Sequence, residues 1–221
     1  MSGKLFLSGG GSGKTTFEID EIFLKKINKI LYIPLAKRNN CKKCKEWIVE
    51  AMNQHKKIKI DMLIDLSKYV NLEDYDAVYL GGGNTFKLLK EIKDSNFGAK
   101  LLKYFNEGGT IYGGSAGAII FGNDINTALI CDIPDKNYVR LKDTSGFKKL
   151  KGYDIQVHYT KGQLKKNQEY SKKTETPIIA IPEGSALLVE NKRYKVIGTK
   201  SIVIITKNSV KEFKPRELLN L

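Results

Sequence analysis

The sequence predicts a single α/β domain over residues 1–221, built on a mostly parallel sheet with helices on both faces and antiparallel hairpins in its C-terminal third. Two observations carry this prediction. In the first 120 residues, short apolar runs alternate with amphipathic segments, which is typical of parallel strands covered on both faces. After residue 176, short β-type runs follow one another with tight connections, which is typical of hairpins extending the same sheet.

Each element rests on its own pattern. Strands are predicted where β-branched, aromatic and leucine residues form short runs between turn-forming segments. They cover residues 4–7, 30–34, 59–64, 77–80, 110–113, 153–159, 177–181, 186–189, 194–197, 202–206 and 210–213. Helices are predicted where apolar residues recur every three or four positions. They cover residues 16–29, 44–55 and 99–106, and two more begin after residues 84 and 115.

The charge balance invites a nucleic-acid interpretation, which the composition does not favour. The formal net charge is +14, but only four of the 38 basic residues are arginine, which leaves 34 lysines. Arginine is the residue that base and phosphate recognition favours for its planar fork. The lysines are spread through every segment without a basic stripe interleaved with aromatic residues. We therefore expect solvated helix faces and no nucleic-acid partner.

Compartment and cysteine content are consistent with a cytoplasmic protein. No apolar run approaches the roughly 20 residues of a membrane-spanning helix, and the first apolar run is too short for a signal peptide. Three cysteines cannot all pair, which a reducing compartment explains. Cys41 and Cys44 form a lone C-x-x-C without a second ligand pair, so we expect incidental thiols and no metal. We expect no membrane partner and no cofactor.

A glycine-rich loop offers one alternative function. Residues 8–15 read Ser-Gly-Gly-Gly-Ser-Gly-Lys-Thr between a predicted strand and helix, the context of a phosphate-binding loop. Ser8 stands where that motif has its first glycine, and no convincing strand ends in an aspartate that would hold magnesium. A nucleotide-binding enzyme using Ser8 to Thr15, with Lys14 at the phosphates, therefore remains the second hypothesis.

A different motif indicates a specific catalytic chemistry more strongly. Residues 113–117 read Gly-Gly-Ser-Ala-Gly, which matches the nucleophile elbow G-x-S-x-G. A serine on a tight strand-to-helix turn projects its hydroxyl above the sheet, and larger side chains two residues away would collide with the turn. We therefore predict that Ser115 is a nucleophile and that the backbone N–H of Ala116 faces the developing oxyanion.

The second oxyanion donor is expected from another loop at the same edge of the sheet. Residues 80–86 read Leu-Gly-Gly-Gly-Asn-Thr-Phe, ending one strand and opening a helix. Successive glycines let backbone N–H groups approach a substrate closely. We therefore predict that Gly82, Gly83 and Asn84 contact the oxyanion or the substrate.

The base is limited by composition, because the chain has two histidines. His55 lies at a polar helix end beside lysines, where we expect it to face solvent. His158 ends an apolar strand, where side chains are presented to an active site. We predict His158 as the base of Ser115.

The acid that orients this base is left open by the residues alone. Five aspartates lie between the serine and the histidine: Asp124, Asp132, Asp135, Asp143 and Asp154. Asp132 is favoured because it follows the strand-like run 127–131, whereas Asp124 fits the turn after the elbow helix. Glu183, in a Pro-Glu-Gly turn after a strand, could orient the site, bind a peptide amine or cap a turn.

Taken together these segments resemble the dipeptidase E family of serine peptidases, whose relatives include alpha-aspartyl dipeptidase and cyanophycinase. The resemblance is carried by residues 5–11, 31–34, 80–86, 114–122, 158–159 and 181–187. It implies a fold similar to class I glutamine amidotransferase domains, in the flavodoxin-like group, with serine in place of cysteine. It also implies Ser115 as nucleophile, His158 as base, Asp132 as the acid, and a first glycine loop without a phosphate role.

The function implied by this resemblance is hydrolysis of small peptides through an acyl-enzyme, without metal or cofactor, by a monomer or homodimer. Members of the family cleave dipeptides with an N-terminal aspartate. Arg140 is the only arginine between Ser115 and His158, so a broader or different specificity is also expected. The alternatives are the nucleotide-dependent enzyme and a catalytically silent binding module of the same fold.

Overall fold

The computed structural model describes residues 3–11, 13–37 and 41–221, with Cys41 described by its backbone alone. The strands are β1 Lys4–Ser8, β2 Lys29–Ile33, β3 Lys59–Met62, β4 Ala77–Leu80, β5 Thr110–Gly114, β6 Asp154–Gln156, β7 Ile178–Ala180, β8 Ser185–Glu190, β9 Arg193–Gly198, β10 Ile202–Ile205, β11 Val210–Phe213 and β12 Leu218–Leu219. The helices are α1 Gly13–Leu24, α2 Cys41–Asn53, α3 Thr85–Asp94, α4 Phe97–Asn106, α5 Ala116–Ile119 and α6 Leu164–Thr174. Short 3-10 helices cover Leu72–Asp74, Asn126–Leu129 and Lys161–Gln163.

The main sheet has eight strands in the order β12-β9-β8-β1-β5-β4-β2-β3. Strands β1 to β5 run parallel to one another, whereas β8, β9 and β12 are antiparallel additions beside β1. This confirms the predicted mostly parallel sheet with hairpins in the C-terminal third. The parallel strands β1, β4 and β5 end level with one another at one edge of the sheet.

The C-terminal strands do not all extend this sheet as predicted. Strands β6, β7, β10 and β11 form a second sheet of four strands, in which β6 and β7 are parallel. One face of this sheet carries Ile178 and Ile205 in a small core beside α6, and the other face joins the main core through Ile179 and Ile202. Short apolar strands fit either sheet equally well, so the sequence pattern does not distinguish them.

Helices cover both faces of the main sheet, and the two faces have separate cores. On one side Phe23 of α1 and Ile48 of α2 pack over an aromatic sheet surface. On the other side Leu89 of α3, Leu101 of α4 and Ile119 of α5 join the larger core. The burial of both faces explains why the parallel strands read as continuous apolar runs.

Two local predictions are wrong, and one helix was missed. The first helix ends at Leu24, not residue 29, because the chain enters β2 at Lys29. The strand-like run 127–131 instead lies in and after a 3-10 helix, where Thr127 donates its hydroxyl proton to the carbonyl of Ile155. Helix α6 was not predicted because its fully buried residues, Asn167 and Ser171, are polar. Among the described residues no helix is both long enough and apolar enough to cross a membrane.

Candidate active site

Ser115 lies on a tight turn between β5 and α5, as the elbow motif predicts. Its backbone angles are φ 53° and ψ −110°, a left-handed conformation that side-chain-bearing residues rarely adopt. A Cβ on Gly113 would lie 2.3 Å from the carbonyl oxygen of Gly117, and one on Gly117 would lie 2.3 Å from that of Leu80. The close packing of this turn therefore requires both flanking glycines.

His158 lies against the serine hydroxyl, with 2.8 Å between its Nε2 and Ser115 Oγ. It follows β6, and its backbone N–H donates to the carbonyl of Gly9 at the end of β1. The backbone φ of His158 is 51°, so this residue, like Ser115, adopts a left-handed conformation. A Cβ on Gly10 would lie 2.3 Å from ring atom Cε1, which shows how closely the first glycine loop packs on this imidazole.

The carboxylate beside the other ring nitrogen is Glu183, whose Oε1 lies 2.7 Å from Nδ1 of His158. The geometry therefore does not support Asp132, the predicted partner, which lies elsewhere on the wall of the same cavity. Strands β6 and β7 are parallel neighbours, so the residues that follow them meet at one edge. That pairing brings Glu183 to the imidazole, since Glu183 follows β7 just as His158 follows β6.

The other candidate acids have structural partners. Asp124 accepts a hydrogen bond from the hydroxyl of Thr144, and Asp143 pairs with Lys93 at 2.6 Å, which holds the pKa of Asp143 well below its usual range. Asp154 is buried, and this desolvation raises its pKa from 3.8 to about 6 although the Tyr170 hydroxyl donates to it. These acids are engaged away from His158.

Asp135 connects the loop after the 3-10 helix to the start of α3. Its Oδ2 accepts from both the backbone N–H and the hydroxyl of Thr85, at 2.8 and 2.7 Å. Asn84 adds a second tie, because its Nδ2 donates to the carbonyl of Lys136. Its Oδ1 caps α3 by accepting from Lys87 N–H at 2.9 Å. Both polar atoms of Asn84 are thus engaged within the protein, which differs from the substrate contact predicted for it.

Gly82 and Gly83 differ in what they approach. A Cβ on Gly82 would lie 3.1 Å from Cβ of Ser115 and 3.6 Å from its Oγ, so this glycine lies beside the Ser115 side chain. Gly83 has φ +140° and approaches the carbonyl of Ala36 instead. Ala116, buried at the first position of α5, directly follows the serine. Of the predicted oxyanion residues, the structure thus brings Gly82 and Ala116 together at Ser115.

Ser115 and His158 line a cavity of about 990 Å³. Lys37, Lys43 and Lys200 lie on its wall together with the carboxylates Asp132 and Glu183. Cys131 also lines it, but burial raises the pKa of its thiol to about 11, so the thiol stays protonated near neutral pH. No group of three or more potential metal ligands occurs in the described part of the chain.

The first glycine loop has a role in this cavity that its motif did not predict. A Cβ on Gly9 would lie 2.3 Å from the carbonyl oxygen of Pro182, and Gly10 approaches His158. Lys14, expected at the phosphates in the nucleotide hypothesis, is exposed, and Ser12 lies outside the described residues. His55, expected to face solvent, is half-buried against the ring of Phe17 at 4.2 Å.

Curated relatives are similar over part of their length. Peptidase E of Haemophilus influenzae (strain ATCC 51907) is 28% identical over 146 residues, which cover 61% of this chain and 63% of that protein. Peptidase E of Shewanella putrefaciens is 29% identical over 147 residues, which cover 61% of this chain and 62% of that protein. The matched region therefore spans less than two thirds of these relatives.

Solved structures share the fold. A protein from Listeria monocytogenes EGD-e provisionally described as a peptidase E superposes with a TM-score of 0.70 at 22% identity, covering 90% of this chain and all of that one. A peptidase from an acI-B1 Actinobacterium gives 0.69 at 18% identity, covering 100% and 98%. The family model of peptidase family S51 matches residues 5–197, which include Ser115, His158 and Glu183. The chain therefore belongs to peptidase family S51.

Proposed function

We propose that this protein is a serine peptidase that hydrolyses small peptides through an acyl-enzyme. The observation that carries the proposal is the chain of contacts from Ser115 Oγ to His158 Nε2 at 2.8 Å and from His158 Nδ1 to Glu183 Oε1 at 2.7 Å. A nucleophile hydrogen-bonded to a base, with the base oriented by a third group, is the arrangement that activates a hydroxyl for acyl transfer.

The contacts favour one arrangement of the protons on His158. A carboxylate at Nδ1 accepts a hydrogen bond, so it favours the imidazole tautomer with its proton on Nδ1. Nε2 then carries the lone pair that accepts the proton of Ser115 Oγ as the oxygen attacks the scissile carbonyl carbon. His158 returns that proton to the leaving amine, whose C–N bond breaks. Water then repeats the sequence and releases the acyl group as a carboxylic acid.

The oxyanion of the tetrahedral intermediate forms beside Gly82 and Ala116. Both residues adjoin Ser115, and backbone N–H groups fixed there stabilise charge as it develops on the carbonyl oxygen. Removing one donor from such a site typically slows catalysis about a hundredfold or more. Asp135 and Asn84 support the site by fixing the start of α3, which directly follows the glycines.

A short peptide fits the cavity better than a protein chain does. The volume of about 990 Å³ is at the upper end of ordinary small-molecule sites, and the wall is formed by several separate loops. Exposed lysines such as Lys37 and Lys43 favour a substrate with a free carboxylate. Arg140 is absent from the cavity wall, so it does not supply a cation for an aspartyl side chain.

The experiment that tests this proposal is labelling with a small fluorophosphonate followed by intact-mass analysis. We expect one adduct on the wild type, none on Ser115→Ala and a much slower reaction on His158→Ala. His55→Ala is the matched control, because this histidine packs on Phe17 and should leave the labelling rate unchanged. A folded wild-type protein that forms no adduct would exclude the mechanism, and a silent binding module would then be favoured.

A further inference from the structure

Four aromatic residues form one row across the main sheet, below the strand ends that carry the site. Tyr32, Tyr79, Tyr112 and Phe6 are paired in register on β2, β4, β5 and β1. The rings of Tyr79 and Tyr112 are stacked with centroids 4.3 Å apart, and Tyr32 meets Tyr79 edge-on at 5.5 Å. Cross-strand aromatic contacts of this kind fix the rings firmly.

The strand ends above these rings are kept free of side chains. A Cβ on Gly81, just after β4, would lie 2.9 Å from the hydroxyl oxygen of Tyr32. A Cβ on Gly114, at the end of β5, would lie 3.2 Å from the hydroxyl oxygen of Tyr79. The hydroxyls of Tyr32 and Tyr79 therefore reach the C-terminal edge of the sheet, next to Ser115. All three tyrosines line the cavity, but their rings are at most 4% exposed, so little more than their hydroxyl ends faces it.

Trp47 of α2 completes this wall. Its ring lies 6.5 Å from that of Tyr79, it also lines the cavity, and it is 40% exposed. Together Tyr32, Tyr79, Tyr112 and Trp47 form what we call the aromatic pocket. Lys43, four residues before Trp47 on α2, is exposed and lines the same cavity.

A buried carboxyl lies behind the aromatic pocket. Asp20 is 1% exposed, and its Oδ2 accepts from the hydroxyl of Thr16 at 2.7 Å. Thr16 itself lines the cavity. The Tyr112 hydroxyl is near enough to affect the pKa of Asp20, but the pair falls outside hydrogen-bond geometry, and Oδ1 has no partner among the described residues. A carboxylate here disfavours a second negative charge in the pocket.

The topology places the aromatic pocket on the acyl side of the scissile bond. Strand β5, which carries Ser115, lies between β1 and β4. His158 is on the β1 side, where its N–H donates to Gly9, whereas Tyr79 and Tyr32 are on β4 and β2. Since the base protonates the leaving amine, the leaving group lies toward β1 and the acyl residue lies toward β4.

We infer that the aromatic pocket receives the side chain of the substrate's N-terminal residue and selects a large uncharged side chain in place of aspartate. This inference rests on the proposed peptidase function. An apolar side chain gains by leaving water against the exposed ring of Trp47. A carboxylate entering the same space would lose part of its hydration beside Asp20, and the tyrosine hydroxyls it meets there are neutral donors, not a fixed cation.

The test compares X–Leu dipeptides that differ only at X. We expect Met–Leu and Phe–Leu to exceed Asp–Leu in kcat/KM by at least about tenfold, because a carboxylate loses hydration beside Asp20 without gaining a fixed cation. Asn–Leu, close in shape to Asp–Leu, isolates the effect of the charge. A preference for Asp–Leu or for Lys–Leu would overturn the inference. If Asp–Leu is preferred and Lys43→Met loses that preference, the preference comes from the charge of Lys43.

Variants locate the effect in the pocket. Trp47→Ala should lower kcat/KM for Phe–Leu about tenfold by removing buried contact area, while Ala–Leu changes little. Tyr69→Ala is the matched control, since this aromatic residue is 88% exposed and lies outside the cavity lining. If Trp47→Ala and Tyr69→Ala behave alike toward Phe–Leu, the aromatic pocket does not bind that side chain.

A binding measurement separates this inference from the peptidase function. Trp47 is the only tryptophan of the chain, so intrinsic tryptophan fluorescence reports on the pocket directly. In Ser115→Ala, Phe–Leu should change this fluorescence saturably at concentrations where Asp–Leu does not. An adduct on wild-type Ser115 combined with unchanged fluorescence would overturn the pocket and leave the peptidase standing, whereas absence of any adduct would overturn both.

Discussion

Replacing Gly10 with alanine should displace the histidine of the site without contacting the substrate. A Cβ at this position would lie 2.3 Å from Cε1 of His158 and 2.9 Å from its Nδ1. Carbon atoms in contact are separated by about 3.5 Å or more, so the ring would have to move by roughly 1 Å. That shift breaks the 2.8 Å contact between His158 Nε2 and Ser115 Oγ. General-base assistance contributes about 10²–10⁴-fold, so labelling by a fluorophosphonate should slow by at least about a hundredfold.

Backbone strain has to be separated from this contact. Gly10 has φ +95°, where a side-chain-bearing residue costs about 1–2 kcal/mol. Gly152 has φ +89°, and a Cβ added there would meet no described atom within 4 Å, so Gly152→Ala carries the same strain without the contact. Both variants should lower Tm by about 2–8 °C. The assay is the bimolecular labelling rate by intact mass together with Tm, and equal labelling rates in the two variants would refute the reasoning.

Two further predictions concern acidic residues. Glu183→Gln keeps the size of the side chain but removes the charge beside His158, so labelling of Ser115 should slow at least about tenfold. Asp132→Asn should be labelled at the wild-type rate. The opposite ranking of the two variants would restore Asp132 as the partner of His158. The free energy of unfolding should fall as pH rises from about 4 to about 6. Burial raises the pKa of Asp154 from 3.8 to about 6, so the folded state binds this proton more tightly than the unfolded chain does. Urea titrations of Asp154→Asn should give a shallower fall, since Asp20 keeps its own raised pKa, and a slope equal to that of the wild type would contradict the assignment.

The elbow was predictable because its requirements are local. A serine held at φ 53° between a strand and a helix needs glycine two residues away on each side, and that spacing is visible in the sequence. The histidine was also predictable, since the chain has two and one of them follows an apolar strand. Gly82 and Ala116 follow from the same logic, because the glycine-rich loop after β4 lies beside the elbow at the edge of a parallel sheet.

The acid was not predictable from position along the chain. Glu183 lies 25 residues beyond His158, and five aspartates lie nearer to the nucleophile in sequence. What brings Glu183 to the imidazole is the parallel pairing of β6 with β7 in a second sheet. Both are strands of three residues, and runs so short do not reveal which sheet they join or which strands they pair with.

The sequence by itself determined the α/β class, the parallel strands of the main sheet, the turn that carries Ser115 and the histidine that lies against it. These depend on periodicity and on glycine positions, both of which act over a few residues. Only the tertiary structure decided that Glu183 lies 2.7 Å from His158, that Asn84 caps a helix, and that the glycines near residue 10 make room for an imidazole. It also decided that Tyr32, Tyr79 and Tyr112 form one wall beside the nucleophile. Such arrangements depend on strand order and register, which bring together residues from distant segments whose sequence patterns are alike.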